Sequence, residues 1–166
     1  VVTLHRPSNV DNPEILRKLV DFLINEVSIK YKLIWSVHPR TEKNLRQFDI
    51  WQKIENAENI ILLHPIGYLE MIRLNSEASF VITDSGGLQE ECCVLGTPCI
   101  TLRNTTERPV TLREYGGLSV LTGNDLDKIR KEFVRIEDQS RKPYRPELWD
   151  GKTAQRCLEA ILNYNI

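Results

Sequence analysis

Residues 79–102 read "SFVITDSGGLQEECCVLGTPCITL". "SFVIT" (79–83) and "PCITL" (98–102) are short apolar runs with the look of buried strands. Between them the chain turns through "DSGG" and runs helically from after Gly87 to Leu95. A strand, a glycine corner, a helix and a second strand make one unit of a parallel sheet. The corner raises the functional question: it is small, flexible and rich in backbone donors.

The same alternation extends both ways. Strand patterns occur at 1–5, 32–38, 59–63 and 118–122. Helical patterns occur at 12–31, 41–56, 67–78, 124–139 and 152–164, and 141–151 reads as a loop. Asn12 and Asn124 are expected caps, Pro13 suits a first helical turn, and a break is expected near Asp49. The fold class is therefore α/β: a Rossmann-like three-layer sandwich with a mainly parallel sheet. The strand order is expected to switch near the first and fourth strands. Ligands in such sheets sit at the carboxyl ends of the strands. His5, Arg6, His38, Arg40, His64, 84–87 and 103–108 should gather on that edge.

Composition bounds the classes. The chain has 166 residues, 41% hydrophobic and 27% charged, enough for one globular domain. With 22 Lys+Arg against 23 Asp+Glu, nothing points to a nucleic-acid or membrane partner. No apolar run approaches the roughly 20 residues that span a bilayer. Cys92, Cys93, Cys99 and Cys157 show no CxxC pair and no histidine at metal spacing. They read as free thiols of a cytoplasmic protein, with no metal site. The chain opens abruptly in a strand, without Met, and is expected to be a fragment cut at a domain boundary.

At the presumed ligand edge, each residue has a functional and a bland reading. Gly86 and Gly87 can take backbone angles that a side chain would forbid, and so let N–H groups approach a ligand. The positive end of the next helix, beside Ser85, would then hold a diphosphate; an ordinary tight turn is the alternative. Glu91, one turn into that helix, could accept both hydroxyls of a ribose, or could be a dipole-favoured glutamate. Glu90 is expected to pack at the surface or to form a structural pair. In "RNTTERP" (103–109), Arg108 has the planar fork that suits phosphate, or could form a loop salt bridge; Glu107 is expected to pair with a basic group. His5, beside Arg6, could donate to phosphate or transfer a proton. A lone histidine is more often structural, and His64 is read that way.

"HRPSN", "HPRT", "TDSGGLQEE", "LGTPCITLRNTTERP" and "GND" follow in one order. Together they resemble the non-hydrolysing UDP-N-acetylglucosamine 2-epimerases of bacteria and archaea, over essentially the whole chain. Ser8 and Val110 stand where that family more often has glutamate. The resemblance implies one half of a two-domain GT-B fold: residues 1–166 as the UDP-binding carboxyl-terminal domain, its amino-terminal partner domain absent. It implies that UDP-GlcNAc or UDP is bound, with Ser85, Gly86 and Gly87 at the phosphates, Arg108 on the diphosphate and Glu91 on the ribose. Ile66 and Met71 would flank uracil. His5 matches the active-site histidine, and Arg6 and His38 match residues of an effector site. UDP-GlcNAc and UDP-ManNAc would interconvert by UDP elimination and re-addition, with no metal or other cofactor. The acid and base carboxylates would lie on the absent domain, and the full-length enzyme would be a homodimer. The alternatives are the nucleotide-sugar domain of a GT-B glycosyltransferase and a stand-alone nucleotide-sugar-binding module.

Overall fold

The computed structural model describes residues 1–164. Six parallel strands form one sheet: β1 (Val2–Thr3), β2 (Leu33–Ser36), β3 (Ile60–Leu63), β4 (Val81–Thr83), β5 (Cys99–Thr101) and β6 (Ser119–Leu121). Their order is β3-β2-β1-β4-β5-β6. The chain builds outward from β1 to β3, then returns to the other side of β1 for β4. The switch point therefore falls between β1 and β4, as the sequence pattern led us to expect. Val2 pairs with Ile82 and Thr3 with Thr83, and the two threonine hydroxyls lie 2.6 Å apart.

The helices are α1 (Pro7–Val10), α2 (Pro13–Phe22), α3 (Pro39–Gln47), α4 (Trp51–Glu55), α5 (Tyr68–Glu77), α6 (Gly86–Leu95), α7 (Leu126–Glu137) and α8 (Thr153–Leu162). They cover both faces of the sheet. The larger core joins Val2, Leu33, Trp35, Ile82 and Ile100 of the strands to Leu16 and Leu19 of α2, Leu45 of α3, Ile54 of α4, and Ile129 and Phe133 of α7. A smaller cluster on the other face holds Val81, Cys92 and Cys99, beneath α6. Cys92, Cys93 and Cys99 are buried free thiols, and Cys157 is exposed. No helix is long and apolar enough to cross a membrane, among the described residues.

Local chemistry sets most helix ends. Asn12 caps α2 by accepting from Glu14 and Ile15 N–H, with Pro13 in the first turn. The expected break in the 41–56 segment falls at Asp49, whose φ of 56° separates α3 from α4. Three boundaries differ from the sequence reading. The helical stripe of α2 ends in a π-helical turn, Leu23–Val27. Pro7 starts the short α1 inside "HRPSN", which carried no helical period. The cap of α7 is Asp125, not Asn124: its carboxylate accepts from Asp127 and Lys128 N–H at 3.0 and 3.2 Å. Asn124 instead donates to the Ser8 carbonyl at 3.1 Å.

Replacing Asp125 by Ala should thus cost about 0.5–2 kcal/mol, the usual worth of such a cap. Asn124→Ala, which removes one exposed bond, should cost less. Urea unfolding of the two variants reads the difference, and the opposite ranking would return the cap to Asn124.

Candidate nucleotide-binding edge

Asp84 is the residue after β4 and is fully buried. A buried carboxylate must be surrounded by donors, and here they come from the neighbouring strand end. His5 N–H approaches both oxygens at 3.1 and 3.0 Å, and Arg6 N–H donates to Oδ2 at 2.9 Å. Asn9 of α1 donates to Oδ2 at 3.0 Å while its other amide hydrogen serves the Leu102 carbonyl at 3.0 Å. His5 Nδ1 lies 2.9 Å from Oδ1. Burial pushes the Asp84 carboxyl up, but the donors from His5, Asn9 and Arg6 outweigh it, and Asp84 ends below its ordinary value.

The Asp84 contact fixes the His5 ring, with Nδ1 turned inward and Nε2 left outward. The His5 side chain is 38% exposed. The His38 ring lies 5.4 Å from it, centroid to centroid. His38 caps α3: its Nδ1 accepts the Arg40 N–H at 3.1 Å, which leaves the proton on Nε2. Arg6 sits between the two regions, its Nε donating to the Asp84 carbonyl at 3.2 Å. His5, Arg6 and His38 are thus one cluster, joined to the glycine corner through Asp84.

Ser85 caps α6, its Oγ 3.4 Å from Leu88 N, and its own N–H donates to Thr83 Oγ1 at 3.0 Å. The first amides of α6, at Gly86 and Gly87, belong to the helix end that has no intrahelical acceptors. The reason for glycine differs from the expected one. Neither Gly86 nor Gly87 has a positive φ. What Gly86 provides is space: a Cβ there would lie 2.5 Å from Arg108 Nη1 and 3.1 Å from Arg103 Nη1. At Gly87 a Cβ would meet only Ser85 Oγ, at 3.9 Å.

The loop that brings these arginines is stapled to α6 by the buried Gln89. Its Nε2 donates to Thr111 Oγ1 at 2.5 Å, and its Oε1 accepts from Thr106 Oγ1 at 3.0 Å. Arg108 Nε lies 2.9 Å from Glu90, and Arg108 Nη1 lies 3.3 Å from Glu107. Glu90 and Glu107 both form the pairs expected of them. Arg103 donates to both Glu107 oxygens, at 2.7 and 2.8 Å. That contact is the chief reason the exposed Glu107 carboxyl falls to about 2.

Glu91 lies further along α6 and is half-buried. Burial raises its carboxyl above the ordinary value, against a 3.2 Å bond from Asn75 of α5. Asn75 donates to one oxygen of Glu91, Oε2. Ile66 precedes α5 and Met71 lies in its first turns, both half-buried. His64 is exposed and lines an open cavity of about 410 Å³ with Val37, Arg46, Trp51 and Leu62, beside the edge strand β3. Among the described residues, no three of His, Cys, Asp and Glu gather as a metal site would require.

The sequence placed Asp84 and Arg103 on this edge but assigned them no role, and it missed Asn9 and Gln89. One signal was present: an aspartate directly after an apolar parallel strand is placed where it must be buried and donor-fed. Asn9 and Gln89 act through partners far away in sequence and carried no local mark.

The parallel sheet and its cationic corner at the switch point are those of a Rossmann-like α/β domain, one half of a GT-B architecture. The family described as UDP-N-acetylglucosamine 2-epimerase matches residues 1–162, and the chain belongs to that family. It is 39% identical over 165 residues to the UDP-N-acetylglucosamine 2-epimerase of Methanocaldococcus jannaschii, covering 99% of this chain and 44% of that one. It is 49% identical over 131 residues to the Methanococcus maripaludis enzyme of the same name, covering 78% of this chain and 35% of that one. The solved structure of the M. jannaschii epimerase in complex with UDP-GlcNAc and UDP superposes with a TM-score of 0.86 at 41% identity, over 99% of this chain and 44% of that one. The chain thus spans less than half the length of these relatives.

Two variants test the geometry. In Asp84→Asn an amide NH₂ meets donors, which should cost about 1–3 kcal/mol at neutral pH. Because Asp84 is held below its ordinary value, its stabilisation is present above the unfolded value of about 3.9 and is lost as pH falls through the folded value. The stability gap between parent and variant should therefore narrow below about pH 4, in urea unfolding at several pH values. At the corner, Gly86→Ala must displace Arg108, whereas Gly87→Ala should leave thermal stability unchanged or raise it by up to about 1 kcal/mol. Equal melting temperatures for the two glycine variants would contradict the packing described.

Proposed function

We propose that this chain is the UDP-binding, carboxyl-terminal domain of a non-hydrolysing UDP-N-acetylglucosamine 2-epimerase, with residues 1–166 forming that one domain. The observation that carries the reading is the placement of Arg108 over Gly86, at the start of α6 and beside the switch point. A diphosphate there would meet two free helix-terminal amides, the Ser85 hydroxyl and a guanidinium fork. Glu91 is assigned to the ribose hydroxyls through the oxygen that Asn75 does not use. Ile66 and Met71 are assigned to uracil.

The reaction proposed for the whole enzyme removes the proton at sugar carbon 2 and breaks the bond from carbon 1 to the UDP oxygen. The resulting glycal takes a proton on the opposite face, and UDP adds back. This domain would hold the leaving diphosphate and offset the charge that develops on it. His5, whose Nδ1 is held on Asp84, would donate at the reacting centre through Nε2. Arg6 and His38 would meet a second UDP-sugar as effector. The carbon-2 acid and base would come from an amino-terminal domain. Two observations support such a partner: the relatives are more than twice as long, and Leu158, Ile161 and Leu162 of α8 are exposed. We further propose a homodimer in the cytoplasm.

Calorimetric titration with UDP, UDP-GlcNAc and NAD tests the assignment. UDP and UDP-GlcNAc should bind weakly and NAD should not; equal binding of NAD would remove the basis for the nucleotide assignment. Arg108→Ala loses hydrogen bonds to a charged group, worth about 1.5–3 kcal/mol, so UDP affinity should fall roughly tenfold or more. Glu91→Gln should lose the parent's discrimination between UDP and 2′,3′-dideoxy-UDP. A variant that discriminates as well as the parent frees Glu91 from the ribose role. The 166-residue chain alone should form no UDP-ManNAc from UDP-GlcNAc.

A further inference from the structure

Arg103 has no role in the reading so far, yet it is the more unusual of the two arginines. It follows β5, and its side chain is only 5% exposed. Its backbone is fixed on both sides: its N–H donates to the Thr101 carbonyl at 2.8 Å and its carbonyl accepts from Gly123 at 3.0 Å. One arm of the guanidinium, Nη2, is held by both oxygens of Glu107. The other, Nη1, is buried and has no hydrogen-bond partner among the described residues.

A buried guanidinium N–H without an acceptor is costly and uncommon in a native structure. The direction of Nη1 shows what would satisfy it. It lies 3.1 Å from the point a Gly86 Cβ would occupy, and Arg108 Nη1 lies 2.5 Å from that point. The positive end of α6 starts at that glycine. Two guanidinium arms and a helix terminus thus converge on one small volume. The acids facing it, Glu90 and Glu107, are already paired with the arginines from the outside. Asp84 is taken up by His5, Arg6 and Asn9. The remaining demand is for an anion with several acceptor oxygens.

The two arginines differ in readiness. Arg108 is 33% exposed and lies against both Glu90 and Glu107, so it must exchange a carboxylate for a ligand. Arg103 need exchange nothing: Nη2 can stay on Glu107 while the open Nη1 donates to the newcomer. We infer that Arg103 is a second, fixed diphosphate-binding residue, oriented by Glu107 and aimed through Nη1 across Gly86. The inference rests on the UDP reading of this edge and deepens it: the leaving diphosphate would be gripped by one preset and one exchangeable arginine.

The test titrates parent, Arg103→Gln and Arg103→Lys chains with UDP, uridine and inorganic pyrophosphate, with circular dichroism to check the fold. Arg103→Gln should lose UDP and pyrophosphate affinity by roughly tenfold or more, the worth of a charged hydrogen bond, and keep its uridine affinity. Arg103→Lys should recover part of the loss, since one ammonium cannot serve Glu107 and a phosphate as a fork does. Unchanged UDP and pyrophosphate binding in Arg103→Gln overturns the inference. An equal loss for uridine also overturns it, because that is the mark of a merely structural arginine. If the Gln variant does not fold, the Lys variant decides: a pyrophosphate loss without a uridine loss supports the inference, and no loss overturns it. A parent that binds pyrophosphate but shows no preference for UDP over NAD sinks the nucleotide reading alone, and the pyrophosphate arm still tests Arg103.

Discussion

The buried carboxylate of Asp84 ties together two parts of the chain that are 79 residues apart. It stands where the strand order reverses, and it gathers the backbone N–H groups of His5 and Arg6, the Asn9 amide and the His5 ring. Each donor belongs to the segment that leaves β1, while Asp84 itself leads into Ser85 and α6. One charge therefore sets the spacing between the histidine cluster and the glycine corner. Neutralising it by burial alone would favour the protonated acid; the converging donors keep it ionised instead. The His5 ring is fixed by the same contact that satisfies the buried carboxylate.

The loop after β5 depends on that arrangement at one remove. Asn9 reaches past Asp84 to the Leu102 carbonyl, so the hub also touches the strand that delivers Arg103. From the other side, Gln89 holds Thr106 and Thr111, and so fastens the loop to α6. Two arginines close to one another and to a helix N-terminus repel. Glu90 and Glu107 offset that repulsion without occupying the space above Gly86. The edge is thereby left short of one acceptor, at Arg103 Nη1.

The sheet was legible in the sequence because parallel strands are buried on both faces and show as short apolar runs between helical stripes. The switch point followed from that order. Helix ends marked by local chemistry, such as Asn12 with Pro13, could also be read. Where two adjacent polar residues compete for one cap, as Asn124 and Asp125 do, only the backbone angles decide. The role of Gly86 was not legible either. A double glycine is expected to serve unusual backbone angles, but here the angles are ordinary and the cause is a pair of guanidiniums arriving from residues 103 and 108.

Charge balance explains why the most informative residues carried the weakest local signal. Over the whole chain the basic and acidic residues nearly cancel, 22 against 23. At the ligand edge they do not cancel atom by atom. Asp84 is over-supplied with donors and Arg103 is under-supplied with acceptors, within one turn of the same helix start. The first imbalance is resolved inside the protein, by holding the carboxylate ionised. The second finds no acceptor among the described residues, because the acids beside it, Glu90 and Glu107, are already paired. A composition that excludes a general attraction to polyanions is therefore compatible with a sharply local one, and the orphan Nη1 of Arg103 marks where that local demand is directed.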